Sequence, residues 1–203
     1  GDTAPGGVQR LDRDVLALKP TLVTICYGMN DGRYTPPTDE IRTTFVTGMR
    51  ELVRRLKAAG VRIVLLTPGM VDENVAPNLA AAQYNRGGLR VLVDEVLKLA
   101  TEEQLPVADL HKLMNEVYDR ARAADPKFAM SDGIHPDAAG HLVMAHGVLQ
   151  VLGVPPRRQA VAVDLEKRTA LNESGLPAGR LKKNPYGFTL DLLMEHLPFY
   201  GRA

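Results

Sequence analysis

The sequence contains few serines and cysteines, which are the side chains that most often act as nucleophiles. Its 203 residues include one cysteine, no tryptophan and only two serines, Ser131 and Ser174. The single Cys26 lies in an apolar, strand-like stretch, where a small buried side chain is expected in place of a redox or metal-binding group. We therefore predict no cysteine chemistry, and the lone thiol says nothing about the compartment.

A large net charge and long apolar segments are also lacking. The formal net charge is +1, and the basic residues are too scattered to form a nucleic-acid-binding surface. No run of about 18 apolar residues occurs, so the sequence predicts no membrane-spanning helix. With 45% hydrophobic residues, the composition is typical of one soluble globular domain with a tail or small extension.

Helical and strand-like patterns alternate along the first three quarters of the chain. Helices are predicted at residues 8–19, 38–60, 77–103, 111–124 and 136–152, and strands at 21–27, 61–67 and 105–110. The first two strands are rich in β-branched residues and nearly continuously apolar, as in a parallel sheet that is covered on both faces. This order predicts a doubly wound, flavodoxin-like α/β sheet, which binds ligands at the carboxyl ends of its strands.

Two of these helices and the end of the chain carry more specific predictions. The helix at 77–103 is expected to bend at Gly87 and Gly88. The last helix should have Pro136 in its first turn and bury one face, formed by Leu142, Ala145, Leu149 and Leu152. Beyond residue 153 the composition changes, and residues 154–203 are predicted to form a carboxyl-terminal extension, with one alternating piece at 160–165, instead of a second core.

Asp132 and His135 form the first motif with chemical meaning. Three residues apart in a loop, they allow the imidazole Nδ1 to donate to the carboxylate while Nε2 faces outward. This is the arrangement of a general base and the acid that orients it. Taken alone, a loop histidine that makes one hydrogen bond before a helix is the more common interpretation.

A second motif, with Gly28, Asn30 and Asp31, follows the first predicted strand. The side-chain amide of Asn30 is a donor suited to the negative oxygen that develops during acyl transfer. Both polar residues could instead simply stabilise a turn. An attacking hydroxyl is missing, because Ser131 adjoins Asp132 on the wrong side of the imidazole and Ser174 is not in a strand-to-helix turn.

Together, these motifs resemble the SGNH, or GDSL-type, hydrolase family. Asn30 after a strand and the Asp132–His135 pair before the last helix are similar to the third and fifth sequence blocks of that family. Gly1, followed by Asp2 and Thr3, is similar to the end of its second block. The resemblance covers residues 1–153 and implies that His135 is the base, Asp132 orients it, and Asn30 and Gly1 form the oxyanion hole. Gly28 and Asp31 support this site, and no metal or organic cofactor is needed.

The family's first block, which carries the nucleophilic serine and the first strand, has no counterpart here. We therefore expect the hydrolase domain to be incomplete at its amino-terminal end, with the serine upstream of Gly1. The resemblance also places the missing strand inside the sheet. The chain should consequently be stable and active only with an upstream segment of the same protein.

The leading hypothesis is hydrolysis of a carboxylic ester through an acyl-enzyme. The substrate would be a small-molecule, carbohydrate or lipid ester, and the resemblance favours a secreted or periplasmic protein. One alternative is a non-catalytic relic that binds a carbohydrate or acyl group. Another is a flavodoxin-like ligand-binding domain, which would need neither Asn30 nor the Asp132–His135 spacing and would require a phosphate-binding loop that the sequence lacks.

Two other sets of histidines in the sequence favour structural roles. His141 and His146 are five residues apart on the last helix, so they do not share a face as a zinc pair would. His111 follows Asp109 at a strand end without any further motif, and we interpret both as structural.

Overall fold

A computed structural model describes residues 1–76 and 84–154, with shorter stretches at 161–164, 167, 169–172, 179–184 and 187–192. The chain divides into two compact units, Gly1–Val154 and Pro155–Ala203. All the predicted site residues lie in the first unit. Within the described part of the chain, no helix is both long enough and apolar enough to cross a membrane.

A parallel sheet with helices on both faces forms the first unit and confirms the predicted fold class. Strands β1 (Leu22–Cys26), β2 (Arg62–Leu66) and β3 (Val107–Ala108) are hydrogen-bonded in the order β1-β2-β3. The helical elements are α1 (Ala4–Asp14), a 3₁₀ turn (Leu16–Leu18), α2 (Asp39–Ala58), α3 (Gly88–Glu103), α4 (Leu110–Ala124) and α5 (Ala138–Val151). Side chains of α1, α2 and α3 form the core on one face of the sheet, and α5 packs on the other.

Helix α1 begins four residues before the predicted start at residue 8. The Thr3 side chain accepts a hydrogen bond from the third residue after it and caps the helix. Two glycines in the first turns weaken the helical pattern in the sequence. One of them, Gly7, packs against the hydroxyl of Tyr27, where a larger residue would clash. The tertiary contact thus explains a glycine that local propensity disfavours.

The predicted helix at 77–103 is wrong at residues 84–87. Helix α3 begins at Gly88, residues 84–87 form a turn, and 77–83 lie outside the described residues. The turn is held by tertiary contacts: Tyr84 is fully buried, and the side chain of Asn85 accepts a 2.9 Å hydrogen bond from the Val71 N–H. These contacts outweigh the helical pattern.

The predicted buried face of α5 is also wrong. Leu142 is 57% exposed and Leu152, just after the helix, is 41% exposed. The sheet instead contacts a different stripe, formed by Met144, Val148 and Val151. Because α5 carries apolar residues on several sides, its helical period does not select one face.

Strand β1 lies at an edge of the described sheet and is less buried than predicted. Within the described residues it pairs only with β2. Ile25 on one face is 3% exposed, but Thr24 and Cys26 on the other face are exposed. The predicted burial of Cys26 is therefore wrong, because α5 covers Leu22 on this face and leaves the residues nearer the carboxyl end uncovered.

The described residues of the second unit include four strands. Strands β4 (Val161–Asp164) and β5 (Thr169–Asn172) pair antiparallel, as do β6 (Gly179–Asn184) and β7 (Gly187–Leu192). Only β4 corresponds to the predicted alternating piece at 160–165. Ser174 lies outside the described residues.

Candidate active site

The turn after β1 depends on a glycine. Gly28 has φ +122°, a conformation that side-chain-bearing residues rarely adopt, and it packs against the ring of Pro68. Its carbonyl oxygen accepts a 3.1 Å hydrogen bond from the Gly32 N–H and closes the turn. Asn30 and Asp31 are thereby held at the carboxyl end of the strand, as predicted from the sequence.

Asp31 joins this turn to the start of α1. The carboxylate is only 8% exposed and accepts hydrogen bonds from the Ala4 N–H at 2.8 Å and the Gly28 N–H at 3.0 Å. Burial raises the pKa of Asp31, and the two N–H donors partly offset this effect by stabilising the charged form. Asp31 thus ties the first residues of the chain to the Asn30 turn.

The Asn30 amide is held at both ends. Its Nδ2 donates to the carbonyl oxygen of Asp2 at 3.2 Å, and its Oδ1 accepts from the hydroxyl of Tyr34 at 3.0 Å. Gly1 lies directly against this amide, so that an added Cβ would collide with Nδ2. The structure therefore brings together Gly1 and Asn30, the two residues predicted to form an oxyanion hole.

Asp132 and His135 form the local pair that the sequence predicted. Asp132 Oδ1 accepts from the backbone N–H groups of Ile134 and His135, and Oδ2 lies 3.0 Å from His135 Nδ1. The backbone N–H of His135, its ring and the Ile134 N–H together lower the pKa of Asp132 to about 2. Because Nδ1 is engaged by the acid, Nε2 is the ring nitrogen left for proton transfer. The imidazole is 80% exposed.

The loop that carries Asp132 and His135 is held by contacts with residues on either side of it. Gly133 has φ +111° and packs against Ala76, and its carbonyl oxygen accepts a 2.9 Å hydrogen bond from the Asp72 N–H. On the other side, Asp137 caps α5 by accepting from the Gly140 N–H. The predicted position of Pro136 is therefore corrected: it precedes the cap and does not occupy the first turn.

Asn30 and His135 line the same cavity. Its volume is about 200 Å³, and its apolar lining comes mainly from methionine, proline and isoleucine. The other lining residues are Asp2, Cys26, Tyr27, Gly28, Met29, Pro68, Gly69, Met70, Ile134, Pro136 and Met144. An acid-oriented imidazole and a fixed amide donor thus face one small, mainly apolar space. This arrangement suits acyl transfer, although the catalytic roles of these residues stay predictions.

No serine lines this cavity among the described residues. Ser131 instead accepts a 3.0 Å hydrogen bond from the Gly133 N–H within its own loop. The thiol of Cys26 does line the cavity and donates weakly to the Thr67 carbonyl oxygen at 3.7 Å. The described residues therefore bring an imidazole, a carboxylate and a side-chain amide to this cavity without a seryl hydroxyl.

The other histidines lie away from this cavity. His111 is buried, and its Nε2 lies 2.9 Å from the Asn85 carbonyl oxygen, while burial lowers its pKa. His141 and His146 are exposed on α5. In the part of the chain that the structure describes, no group of three or more histidine, cysteine or acidic residues is arranged to hold a metal ion.

Two contacts of Asn30 are not evident from the sequence. They are made by the hydroxyl of Tyr34 and the carbonyl group of Asp2. A tyrosine four residues after the asparagine is a weak signal, because its contact depends on an unusual backbone conformation at that position. Only the folded turn identifies it.

Comparisons of the sequence with known proteins identify the family. The profile of the GDSL-like Lipase/Acylhydrolase family matches residues 1–143. The acetylxylan esterase of Geobacillus stearothermophilus is 28% identical over 163 residues, which are 75% of this chain and 68% of that protein. The isoamyl acetate-hydrolyzing esterase of Saccharomyces cerevisiae is 24% identical over 137 residues, 64% of this chain and 56% of that protein.

Solved structures share the same fold. A crystal structure of the Geobacillus stearothermophilus acetylxylan esterase is 27% identical with a TM-score of 0.58, and the match covers 77% of this chain and 71% of that one. A gut microbial diltiazem-metabolizing enzyme is 23% identical with a TM-score of 0.70, over 98% of this chain and 48% of that one. The chain thus spans only part of the length of each relative. With its parallel α/β sheet and the profile match over residues 1–143, the chain belongs to the GDSL-like lipase/acylhydrolase family.

Proposed function

We propose that this chain carries the base, the orienting acid and the oxyanion donors of a serine ester hydrolase. The observation that supports this most strongly is the shared cavity, which both Asn30 and the Asp132-bound His135 line. An ester carbonyl in a space of about 200 Å³ would be within reach of both groups. Because the chain belongs to a family of lipases and acylhydrolases, ester hydrolysis is the chemistry that we propose for the site.

In the proposed reaction, a seryl oxygen attacks the ester carbonyl carbon while its proton passes to Nε2 of His135. The bond to the leaving alcohol then breaks, and the same proton passes from Nε2 to the departing oxygen. Water repeats the sequence on the acyl-enzyme and releases the acid and the free serine. Asp132 keeps Nδ1 protonated and stabilises the imidazolium that forms twice in each cycle.

The oxyanion of each tetrahedral intermediate would be stabilised by Asn30 and by the backbone N–H of Gly1. One N–H of the Asn30 amide is used by the Asp2 carbonyl group, which leaves the second for the cavity. The close contact between Gly1 and this amide would let both donors reach one oxygen atom. Loss of one such donor typically lowers kcat by about a hundredfold or more.

We place the nucleophilic serine in sequence that precedes Gly1. The solved structures of the Geobacillus stearothermophilus acetylxylan esterase include catalytic mutants at a serine, an aspartate and a histidine. There the aspartate and histidine are three positions apart, as Asp132 and His135 are, and the serine lies near the amino terminus. This order supports the assignment of the pair and of an upstream nucleophile.

We further propose that a strand preceding Gly1 pairs along the free edge of β1. The pairing of β1 supports this, because within the described residues it pairs only with β2 and its other edge presents backbone groups that such a strand could bind. Residues 1–203 expressed alone should then unfold without a cooperative transition and hydrolyse no ester. Cooperative unfolding of the isolated chain would refute this part of the proposal.

As substrates we propose esters with a short acyl group, with acetate esters first. Both curated relatives are named for acetyl esters, and the small cavity fits a short acyl chain better than a long one. With the upstream sequence present, p-nitrophenyl acetate should be hydrolysed with a higher kcat/KM than p-nitrophenyl laurate. The reverse order would refute the substrate class while leaving the mechanism standing.

A fluorophosphonate probe tests the nucleophile directly. Incubation of the protein that includes the upstream sequence should give a covalent adduct, and peptide mass spectrometry should locate it on a serine before Gly1. Replacement of His135 with alanine should slow labelling strongly, because the serine would lose its base. A protein that binds esters without labelling or turnover would instead be a non-catalytic relic.

A further inference from the structure

We infer that Tyr34 is a positioning residue that fixes and polarises the Asn30 amide. This inference rests on the proposed role of Asn30 as an oxyanion donor. It goes beyond that role because it assigns a function to a tyrosine that neither the base, nor the acid, nor the proposed donors require.

The hydrogen bonds define which end of the amide faces which partner. The carbonyl oxygen of Asp2 can only accept, so the group 3.2 Å from it must be the amide nitrogen of Asn30. The amide oxygen then faces Tyr34, whose hydroxyl donates to it at 3.0 Å. The Asp2 carbonyl oxygen selects this orientation, because rotation of the amide by half a turn would place two acceptor oxygens against each other. The Tyr34 hydroxyl then holds the amide oxygen from the other end.

This orientation matters for the second N–H of the amide. Without the Tyr34 hydroxyl, the Asp2 carbonyl oxygen alone would hold the group, and the carboxamide of Asn30 could turn about its terminal bond. A donor that must be reoriented during the reaction stabilises an oxyanion less than one already in place. Donation to the amide oxygen also polarises the group and strengthens its N–H as a donor.

The backbone of the turn is strained in a way that directs Tyr34 to Asn30. Arg33 and Tyr34 have φ +53° and +55°, both in the left-handed region that non-glycine residues seldom occupy. Strain of this kind persists where the surrounding contacts determine the conformation, and it is frequent at functional sites. Here the two consecutive left-handed residues reverse the chain and return the tyrosine side chain to the asparagine.

The ring of Tyr34 is held by a second, fully buried tyrosine. The rings of Tyr34 and Tyr84 have centroids 5.5 Å apart and are tilted by 47°. Tyr84 is 0% exposed, donates to the Met29 carbonyl oxygen at 3.3 Å and packs against Gly32. The hydroxyl of Tyr34 is therefore fixed by core packing, which is what a positioning residue needs.

A double-mutant cycle on kcat, in the protein that includes the upstream sequence, tests this inference. The variants are Tyr34→Phe, Asn30→Ala and the combination, assayed with p-nitrophenyl acetate. We expect Asn30→Ala to lower kcat by about a hundredfold or more. Tyr34→Phe keeps the ring contact and should lower kcat roughly tenfold, about the size of one hydrogen bond, with KM unchanged. The double variant should match Asn30→Ala, because Tyr34 acts through Asn30.

Thr101→Val is the control. It also removes one side-chain hydroxyl, which donates to the Leu97 carbonyl oxygen at 3.0 Å on the exposed side of α3 and is not among the residues that line the cavity. Its kcat should stay near the parent value, and near-UV circular dichroism should show all variants folded. If Thr101→Val lowers kcat as much as Tyr34→Phe does, the effect is not specific to the Asn30 amide and the inference fails.

The remaining outcomes separate the inference from the proposed function. If Asn30→Ala leaves kcat unchanged, the proposed oxyanion role is wrong. If Asn30→Ala lowers kcat but Tyr34→Phe does not, Asn30 is a donor that Tyr34 does not position. If Tyr34→Phe lowers kcat by the same factor in the Asn30→Ala background, it acts independently of Asn30, and the inference is again overturned.

Discussion

The two loops that line the cavity differ in how they are held. The turn around Asn30 is fixed by the core: Asp31 is buried against two backbone N–H groups, and Tyr34 rests on the fully buried Tyr84. His135, by contrast, is 80% exposed, and its ring is oriented by Asp132 within the same loop. The Asn30 amide is thus positioned by tertiary packing, whereas the His135 imidazole is positioned mainly by neighbours in the sequence.

This difference suggests that the two loops respond differently to substitution. Changes near Asn30 should alter stability together with activity, because the same contacts serve the core. Changes at His135 should remove activity and leave the fold intact, because few contacts beyond the loop depend on it.

The largest expected effect is that of His135→Ala on turnover. With the upstream sequence present, kcat should fall by about a thousandfold or more, because the serine would lose its base. The melting temperature should stay unchanged, since the ring is exposed. His141→Ala, at an exposed histidine of α5, is the control and should keep full activity. A His135→Ala variant that retains turnover would refute the base assignment.

Asp31→Ala should show the opposite pattern, with a large effect on stability. The substitution leaves the buried N–H groups of Ala4 and Gly28 without an acceptor, which costs about 1–3 kcal/mol in the free energy of unfolding. Urea denaturation of the protein that includes the upstream sequence, the form to use for this and the following stability measurements, gives this loss. The exposed Asp125, which also accepts from a backbone N–H, is the control, and Asp125→Ala should change stability by less than about 0.5 kcal/mol. If Asp31→Ala and Asp125→Ala lose equal stability, the burial of Asp31 does not explain its effect.

Gly133→Ala tests how far the histidine loop depends on tertiary support. The residue has φ +111°, and an added Cβ would lie 2.8 Å from the Cβ of Ala76. We expect a loss of about 1–2 kcal/mol in stability together with reduced kcat, as the loop shifts. Gly153→Ala is the control. This residue has φ +70° with open space around it, so its substitution introduces the backbone strain without a side-chain clash. If both variants lose the same stability and Gly133→Ala keeps its kcat, the contact with Ala76 does not position the loop.

The smallest expected effect concerns pH and Asp132. Its pKa is lowered from 3.8 to about 2 in the folded protein, so the folded state favours the ionised form more than the unfolded state does. This stabilisation is complete above pH 3.8 and is lost as the pH falls through about 2. The stability difference between the parent and Asp132→Asn, followed by thermal unfolding, should therefore shrink over that range. A difference that does not change with pH would contradict this assignment.

Much of the site could be predicted because parallel strands end at the same edge of a sheet. The turn with Asn30 follows β1, and the loop of Asp132 and His135 precedes the last helix, so the fold alone suggested that they meet. The contacts of Asp132 with His135 lie within three residues and need only local geometry. Both features depend on short-range patterns, which a sequence displays directly.

Other features could not be predicted, because they depend on partners far along the chain. The apolar residues of α5 surround much of the helix, and only contact with β2, β3 and α4 selects the stripe with Met144 and Val148. The turn at 84–87 replaces the predicted helix because Asn85 bonds to Val71, which lies before the start of that helix. The exposure of Cys26 reflects which side of β1 the described sheet leaves open.

The sequence by itself determined the order of helices and strands in the first unit, the family resemblance and the local acid and imidazole pair, because each depends on residues close together in the chain. The tertiary structure decided how the Asn30 amide is aimed, which face of α5 is buried and how both loops come to line one cavity. These depend on contacts such as Tyr34 with Tyr84 and Asp31 with Ala4. Such contacts exist only once the chain has folded, because packing selects among conformations that local preferences leave open.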